Sequence, residues 1–246
     1  MSELSVQLYT VRDALEQDLD GTLARIAGLG FTHVEPFALL KFADGLRNGL
    51  DRNGLTAPTT HVHLLGEDQE VICRVAAELG IQTIIEPQVD PARWGTEADI
   101  GEIASELNAV AKTAAGYGVR VGYHNHHFEL ESKISGVHAL EVLAARLAPE
   151  VVLEVDTYWA YAGGADVPAL LTRLGDRVAA LHLKDGDGSL DTTKQVAVGS
   201  GVLPVPEIIA AAPDALRVVE LDDSETDIFE AVRASREFLL SGRVQL

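Results

Sequence analysis

The chain has 246 residues, of which 47% are hydrophobic and 23% are charged. These fractions are close to globular averages, so disordered and fibrous classes are excluded. Lys and Arg number 19 against 38 Asp and Glu, which gives a formal net charge of −19. Because nucleic acids and anionic lipids are held by Lys and Arg, this excess of acid argues against both as partners.

The single cysteine, Cys73, excludes an internal disulfide and fits a reducing compartment. No apolar run approaches the ~20 residues that a membrane span needs, and the N-terminus lacks the pattern of a signal peptide. We therefore expect a cytoplasmic protein that does not span a membrane.

The chain repeats one pattern, in which a helical segment ends at a glycine and a β-rich apolar run comes next. Gly30, Gly54, Gly80 and Gly118 stand at such points, where glycine accepts the left-handed conformation that ends a helix. Eight strands are predicted, near Leu4–Tyr9, His33–Pro36, Ala57–His63, Thr83–Glu86, Arg120–His124, Val151–Asp156, Val178–Leu183 and Arg217–Leu221.

Amphipathic helices are predicted between these strands. One has an apolar stripe that runs from Ile100 to Ala114 in steps of three and four residues, and the last helix has another, from Ile228 to Leu239, interrupted only by Ser235. Eight strand–helix units without a Pro- or Ser-rich linker predict an α/β fold, a single (β/α)8 barrel domain over residues 1–246. A doubly wound sheet is the alternative.

Polar side chains gather where the predicted strands end, which is the face where such barrels carry their active sites. Six of the eight histidines fall at these ends or just past them: His61, His63, His124, His126, His127 and His182. Carboxylates accompany them, at Glu35, Glu86, Glu154, Asp156, Glu220 and Asp222. Asp, Glu and His converging at one mouth are typical of a divalent-metal site.

Because successive side chains of a strand point to opposite faces, Glu154 and Asp156 share one face of their strand, and so do Glu220 and Asp222. If both faces point into the barrel, the desolvation and mutual repulsion of four acids favour a bound cation. Alternatively, Glu154 or Asp222 points outward or pairs with an arginine.

At these residues the sequence resembles the sugar phosphate isomerase/epimerase family, the xylose-isomerase-like TIM barrels. The matching stretches come in family order and cover nearly the whole chain: Val6–Arg12, Gly30–Glu35, Tyr123–Glu129, Asp156–Trp159, His182–Asp185 and Val219–Asp222. The run Tyr-His-Asn-His at residues 123–126 is similar to the branch that contains inosose dehydratase and 3-keto-glycoside eliminases.

The resemblance implies one divalent ion, with Mn²⁺ as the expected metal and Mg²⁺, Co²⁺ or Zn²⁺ as alternatives. Asp156, His182 and Glu220 match three family ligands. On strand five the family's Glu is replaced by His124, and Glu129 comes five residues later. We expect Glu129 to be the fourth ligand, with His124 as the alternative.

Further site residues are expected around the metal. His124 and His126 are assigned to substrate contact or proton transfer, unless the His-rich loop only bonds to backbone. Glu35, His61 and Lys184 are expected to bind substrate. Trp159 stands where relatives often have His, and its indole either stacks on a sugar ring or packs the barrel rim.

The substrate is expected to be a neutral sugar rather than a phosphorylated one. Lys184 is the only cation among the strand-end residues, with Arg12 just beyond strand one. The loop Val198–Val202 either cradles an anion or is a plain turn before a helix that begins near Pro204.

The resemblance implies proton abstraction beside the carbonyl of a keto sugar, giving an enediolate that is isomerised or epimerised. Glu129 and Glu220 are the candidate bases, and His124 or His126 would protonate a leaving oxygen in the alternative, a dehydratase or β-eliminating lyase. A repair endonuclease and a non-catalytic sugar-binding barrel are further alternatives. Family members often dimerise, so a homodimer is an expectation.

Overall fold

A computed structural model of the protein describes residues 4–241. It contains eight parallel strands that form one sheet, in the order β2-β1-β8-β7-β6-β5-β4-β3. They are β1 (Leu4–Gln7), β2 (His33–Glu35), β3 (Thr59–His61), β4 (Thr83–Glu86), β5 (Arg120–His124), β6 (Val152–Asp156), β7 (Val178–Leu183) and β8 (Leu216–Val219).

Two single bridges join the ends of this sheet, His33 to Thr56 and Phe37 to His61, so that β2 and β3 become neighbours. The fold is a nearly closed (β/α)8 barrel. The predicted barrel is confirmed over the described residues, and a doubly wound sheet is excluded because β1 lies between β2 and β8. Residues 1–3 and 242–246 of the predicted domain lie outside the described part of the chain.

Three strands, β4, β5 and β7, have the predicted bounds, whereas β1, β3 and β8 end two residues earlier than predicted. In β1 the chain leaves the ladder because the Gln7 side chain accepts a hydrogen bond from the Tyr9 amide at 3.0 Å. This bond starts a 3₁₀ turn over Leu8–Val11, which turns Tyr9 toward the mouth of the barrel.

Eleven helices are described: α1 (Arg12–Gln17), α2 (Leu19–Gly28), α3 (Leu39–Asn53), α4 (Gln69–Glu78), α5 (Glu97–Ala115), α6 (Phe128–Glu131), α7 (Ala139–Ala144), α8 (Thr157–Ala162), α9 (Val167–Leu174), α10 (Val205–Ala211) and α11 (Ile228–Leu240). A small antiparallel hairpin pairs Lys133–Ile134 with Val137–His138 between α6 and α7. Asx caps begin several helices, as Asp18 does for α2 and Asp227 for α11.

The predicted apolar stripes face the barrel, since Ile100, Leu107 and Ala114 of α5 are fully buried. Ser235 is buried within α11, where its hydroxyl donates to the Ala231 carbonyl and accepts from the Val198 amide. Ser235, which interrupts the apolar stripe, therefore links the loop after β7 to α11 through its hydrogen bonds. No helix among residues 4–241 is both long and apolar enough to cross a membrane.

Candidate metal centre

Six of the polar side chains at the mouth of the barrel come from five strands. The strand register places neighbouring side chains at the same level along the barrel axis: Gln7 pairs with Glu35, His124 with Glu154 and Asp156 with His182. These six side chains are buried and point into the barrel. The inward direction predicted from strand alternation is thus confirmed for Glu154.

The first group of potential metal ligands consists of His124, Asp156, His182 and Glu220, one donor from each of β5, β6, β7 and the end of β8. Their donor atoms all lie within 4.8 Å of one another. His182 Nδ1 is 2.6 Å from Glu220 Oε2, and His124 Nε2 is 3.7 Å from Asp156 Oδ2. Two imidazoles and two carboxylates form a donor set that suits Zn²⁺, Mn²⁺ or Co²⁺.

A second group, deeper in the barrel, shares His124 and His182 with the first and adds His61 and Glu154. Glu154 Oε1 lies 2.5 Å from His61 Nε2, 3.2 Å from His124 Nδ1 and 3.0 Å from His182 Nε2. One carboxylate oxygen therefore contacts three imidazoles. Glu154 was named among the strand-end acids on the face of Asp156, but it was not assigned as a metal ligand or a catalytic residue.

Glu35 lies beside this second group and is fully buried. Its Oε1 is 2.7 Å from His182 Nε2 and accepts a hydrogen bond from Gln7 Nε2 at 2.8 Å. It is 3.4 Å from His61 Nε2. Glu35 thus contacts the histidines and does not line the open cavity, and the prediction that it binds substrate stays a prediction.

Lys184 supplies the positive charge nearest to the first group. Its Nζ lies 2.9 Å from Asp156 Oδ2, 2.7 Å from Glu220 Oε2 and 2.7 Å from Asp222 Oδ2, and the side chain is 1% exposed. Asp222 therefore pairs with a lysine, whereas the alternative drawn from the sequence was an arginine. Burial disfavours the ammonium ion, but Asp156, Asp222 and Glu220 together hold the pKa of Lys184 well above its ordinary value.

The donor set fits a divalent cation. Glu35 Oε2 and Glu154 Oε2 are buried and, among the described residues, receive no hydrogen bond, while Asp156 Oδ2 has the ion pair with Lys184 but no hydrogen bond. Buried carboxylate oxygens without partners are costly unless a cation or proton compensates them. Burial also lowers the pKa of His124 well below its ordinary value, so that this imidazole is neutral and can coordinate.

The pKa values of Asp156 and His182 are both raised, for different reasons. Burial raises the pKa of Asp156 to about 6, against the opposing effect of Lys184. For His182, burial favours the neutral ring, but Glu154, Glu220 and Glu35 outweigh it and raise the pKa well above the usual value. A divalent cation beside these carboxylates would supply the positive charge that protons on Asp156 and His182 supply in its absence.

Glu129 belongs to neither ligand group. It is fully buried in α6, where Oε1 accepts from the Tyr123 hydroxyl at 2.6 Å and Oε2 from the His126 amide at 2.9 Å. Burial raises its pKa to about 8. Glu129 thus lies outside the ligand groups, although it is close enough to Asp156 for their charges to interact, and His124 takes the strand-five position in the first group.

His126 and Trp159 pack against each other above the centre, with nearly parallel rings whose centroids are 6.4 Å apart. His126 lines the cavity, whereas Trp159 is 7% exposed and lies behind it, with Lys184 Nζ 5.5 Å from the indole centroid. Burial, with Lys184 as the second cause, lowers the pKa of His126 to about 3. The indole of Trp159 therefore packs against His126 and Lys184, which line the cavity. This position resembles the alternative in which Trp159 packs the barrel rim.

The glycine loop after β7 cradles an internal carboxylate. Asp185 Oδ2 accepts from the amides of Gly199 and Gly201, at 2.9 and 3.0 Å, and Oδ1 accepts from Leu203 and Gly186, at 3.1 and 2.9 Å. The amides that could have held a phosphate are engaged by a residue of the same chain.

A cavity of about 610 Å³ opens above the first ligand group. The groups at its base include His61, His124, His126, Lys184 and Glu220. Five of the residues predicted for catalysis or substrate binding therefore lie on one surface. Glu35, Glu129 and Trp159 lie behind it.

The family model described as "Xylose isomerase-like TIM barrel" matches residues 23–239, and the chain belongs to this family. The resemblance inferred from the motifs is confirmed.

Among curated proteins, the chain is similar to an inosose dehydratase of Geobacillus kaustophilus (strain HTA426). The two are 22% identical over 241 residues, which cover 94% of this chain and 77% of the relative. Members of the superfamily are enzymes, including isomerases, epimerases and dehydratases.

Two solved structures share the fold. One is a sugar phosphate isomerase/epimerase of Parabacteroides distasonis ATCC 8503, with a TM-score of 0.84 and 22% identity over 99% of this chain and 95% of that one. The other is the IolI protein with a bound zinc atom, with a TM-score of 0.76 and 16% identity over 99% of both chains.

Proposed function

We propose that the protein is a divalent-metal-dependent sugar isomerase or epimerase that acts on a keto sugar or sugar-like polyol through an enediolate. One observation carries the proposal: His124, Asp156, His182 and Glu220 converge within 4.8 Å at the base of an open cavity. Family membership supports this class of reaction. A bound zinc atom in the IolI neighbour, which has the same fold, supports the binding of a metal.

His124, Asp156, His182 and Glu220 would hold the ion. When bound, a divalent cation polarises a carbonyl oxygen and makes the adjacent C–H more acidic. Mn²⁺ is the expected metal, with Mg²⁺, Co²⁺ and Zn²⁺ as alternatives, since two imidazoles beside two carboxylates suit several of them.

The proton would pass through side chains that line the cavity. Glu220 lines the cavity and is kept ionised, because Lys184 and His182 outweigh burial and lower its pKa. A lowered pKa weakens a carboxylate as a base, so its position on the cavity wall is what makes Glu220 the candidate base. Glu129, the other base expected from the sequence, has both oxygens engaged behind the cavity, which favours a positioning role for it through the His126 amide.

The substrate would be a sugar without a phosphate group. Asp185 occupies the glycine loop, and the charge of Lys184 is matched by three carboxylates. The Asp185 carboxylate would repel a phosphate, and the Lys184 ammonium, whose charge is already matched, would not attract one. Hydroxyl groups, in contrast, can hydrogen-bond to both a carboxylate and an ammonium group. The word phosphate in the name of the family therefore does not carry over to this substrate.

Elimination is the second candidate, favoured by the similarity to an inosose dehydratase. His61 and His126 line the same cavity as Glu220, so a leaving oxygen would lie within reach of an imidazole. Isomerisation and elimination share the proton abstraction and differ in the fate of the enediolate.

The test compares Asp156→Asn with Asp176→Asn, an exposed acid outside the cluster. Purified proteins are analysed for metal content and titrated with Mn²⁺ by calorimetry. Asp156→Asn is expected to lose most of its Mn²⁺ affinity and Asp176→Asn none. Equal affinity in both variants would refute the assigned centre, and an absence of bound metal in the wild-type protein would favour the non-catalytic barrel.

The reaction is then monitored by NMR in deuterated solvent, with a panel of keto sugars and 3-keto-glycosides and added Mn²⁺. Exchange at a carbon beside the carbonyl is expected in the wild-type protein and not in Asp156→Asn. Exchange accompanied by an isomeric sugar identifies an isomerase or epimerase, loss of a β-substituent identifies a lyase, and exchange without either product identifies the carbon that loses its proton. No exchange across the panel would contradict the proposed chemistry.

A further inference from the structure

The cavity extends well beyond the ligand group, to a wall of apolar side chains that follow β1 and β2 and reach into the first turn of α3. This apolar wall consists of Tyr9, Phe37, Ala38 and Leu40. A volume of about 610 Å³ falls within the ~300–1,000 Å³ of pockets that take drug-sized ligands. One sugar ring at the metal centre would leave much of this space, including the apolar wall, unfilled.

Two residues of the apolar wall are exposed although their side chains are large and hydrophobic. Leu40 is 47% exposed and Tyr9 is 39% exposed, and both side chains lie beside the cavity rather than on a helix face that is remote from it. Contiguous exposed apolar surface at the edge of a pocket is typical of a binding surface.

The wall is also held rigidly. The Tyr9 and Phe37 rings meet edge to face, with centroids 5.3 Å apart, and Phe37 meets Phe42 of α3 at 5.4 Å. The Arg12 guanidinium covers the Tyr9 ring at 4.4 Å. Aromatic surfaces fixed in this way lose little side-chain freedom when a ligand packs on them.

The backbone beneath the wall has an unusual conformation. Ala38 has φ 46° and ψ 49°, the left-handed region that residues other than glycine seldom adopt. This turn lies between Phe37 and Leu40 at the start of α3. Local strain of this kind persists where the surrounding structure imposes it, often beside a ligand.

From these observations we infer that the apolar wall is a subsite for an uncharged, apolar substituent of the sugar, such as the aromatic aglycone of a glycoside. The inference rests on the proposed function, because it places the sugar ring at the metal centre. An uncharged group fits because the four wall residues carry no charge. The nearby Lys41 is paired with Glu16 at 2.6 Å, and the Arg12 guanidinium that covers Tyr9 donates to the Tyr9 and Asp222 carbonyls.

The binding test uses methyl β-D-glucopyranoside and phenyl β-D-glucopyranoside as probes, titrated into the Mn²⁺-loaded protein by NMR or calorimetry. Covering about 60 Å² of apolar surface corresponds to roughly ten-fold tighter binding of the phenyl probe. Leu40→Asn and Phe37→Ala are expected to reduce this preference to about two- to three-fold. Binding of the methyl probe should not change in either variant.

Leu190→Asn is the matched control, because Leu190 is 50% exposed and does not line the cavity. It should keep the full preference for the phenyl probe. Equal binding of the two probes by the wild-type protein, or a preference that survives in both wall variants, would overturn the inference. The inference would also be overturned if the wild-type protein is a dimer and Leu40→Asn is a monomer, because a second copy of the chain would then cover the apolar wall.

The binding arm separates this inference from the proposed function. If the proposed chemistry fails, no keto sugar exchanges deuterium, yet the phenyl preference and its loss in the wall variants remain measurable. If the subsite fails, exchange proceeds with equal efficiency for methyl and phenyl 3-keto-glucosides, and the wall variants leave that ratio unchanged.

Discussion

Replacing Glu129 with Gln tests how this buried acid contributes to the fold and to the centre. The native carboxyl accepts hydrogen bonds from the Tyr123 hydroxyl and the His126 amide, and its pKa is raised to about 8 by burial. The glutamine side chain would keep an oxygen for the His126 amide and could donate its NH₂ to the Tyr123 oxygen. The substitution therefore preserves shape and removes only the ionisation.

The folded and unfolded chains release the Glu129 proton over different pH ranges. The ordinary pKa of Glu is 4.5, so above that pH the unfolded chain releases a proton that the folded chain retains until about pH 8. Stability consequently falls as the pH rises across this window, by about 1.4 kcal/mol per pH unit and on the order of 5 kcal/mol in all. Glu129→Gln should thus be more stable than the wild type at pH 8, with a difference that shrinks toward pH 5.

The assay is chemical denaturation at several pH values from 5 to 9, in EDTA, with Glu131→Gln as a control. Glu131 lies in the same helix but is exposed, so its variant should track the wild-type curve. A Glu129→Gln protein that is less stable than the wild type by the same amount at every pH would refute the reasoning.

The same variant decides the strand-five ligand. A residue that only supports a ligand costs roughly 10–100-fold in metal affinity when it is replaced, and loss of a ligand costs more. We expect His124→Gln to lose more Mn²⁺ affinity in calorimetry than Glu129→Gln. The reverse order would restore Glu129 as the ligand.

Three further predictions concern charge and strain around the mouth. Lys184→Met should lower the stability of the metal-free protein by about 3 kcal/mol and increase the melting-temperature gain on adding Mn²⁺, because buried carboxylates lose their cation; an unchanged gain in differential scanning fluorimetry would contradict this. Asp185→Asn should cost about 2–4 kcal/mol in urea denaturation and speed amide exchange over residues 185–203, since an NH₂ would face the Gly199 and Gly201 amides; exchange rates like those of the wild type would argue against the cradle. Ala38→Gly should stabilise the fold by roughly 0.5–1 kcal/mol by removing left-handed strain, and a destabilised variant in the same denaturation assay would show that no strain is stored there.

Periodicity predicts the local features of this fold. The strands β4, β5 and β7 were predictable to the residue because each is a buried run with a turn on both sides. Alternation also predicts that Glu154 shares a face with Asp156. A pattern of two cannot say how far a strand runs before a side chain such as Gln7 turns the backbone, and β1 was overestimated for that reason.

The contacts that decide the chemistry join residues far apart in sequence. Glu35 and His182 are 147 residues apart, yet their side chains are 2.7 Å from each other across the barrel. Glu129 could be placed near the site from its motif, but the direction of its carboxyl depends on the short helix α6, which turns it toward Tyr123. The loop at Gly199 and Gly201 was ambiguous in the sequence because its occupant, Asp185, reaches it only in the folded chain.

His182 explains why the mouth contains more acids than one ion requires. Its Nδ1 faces Glu220 in the first ligand group, and its Nε2 faces Glu35 and Glu154 in the interior. A neutral imidazole has one N–H, so a ring that directs Nδ1 toward a cation must donate from Nε2, and a carboxylate is the strongest acceptor for that proton. Gln7 and His61 in turn fix the two interior acids. These acids therefore orient a ligand, while Asp156 and Glu220 contribute the charge that an ion would meet.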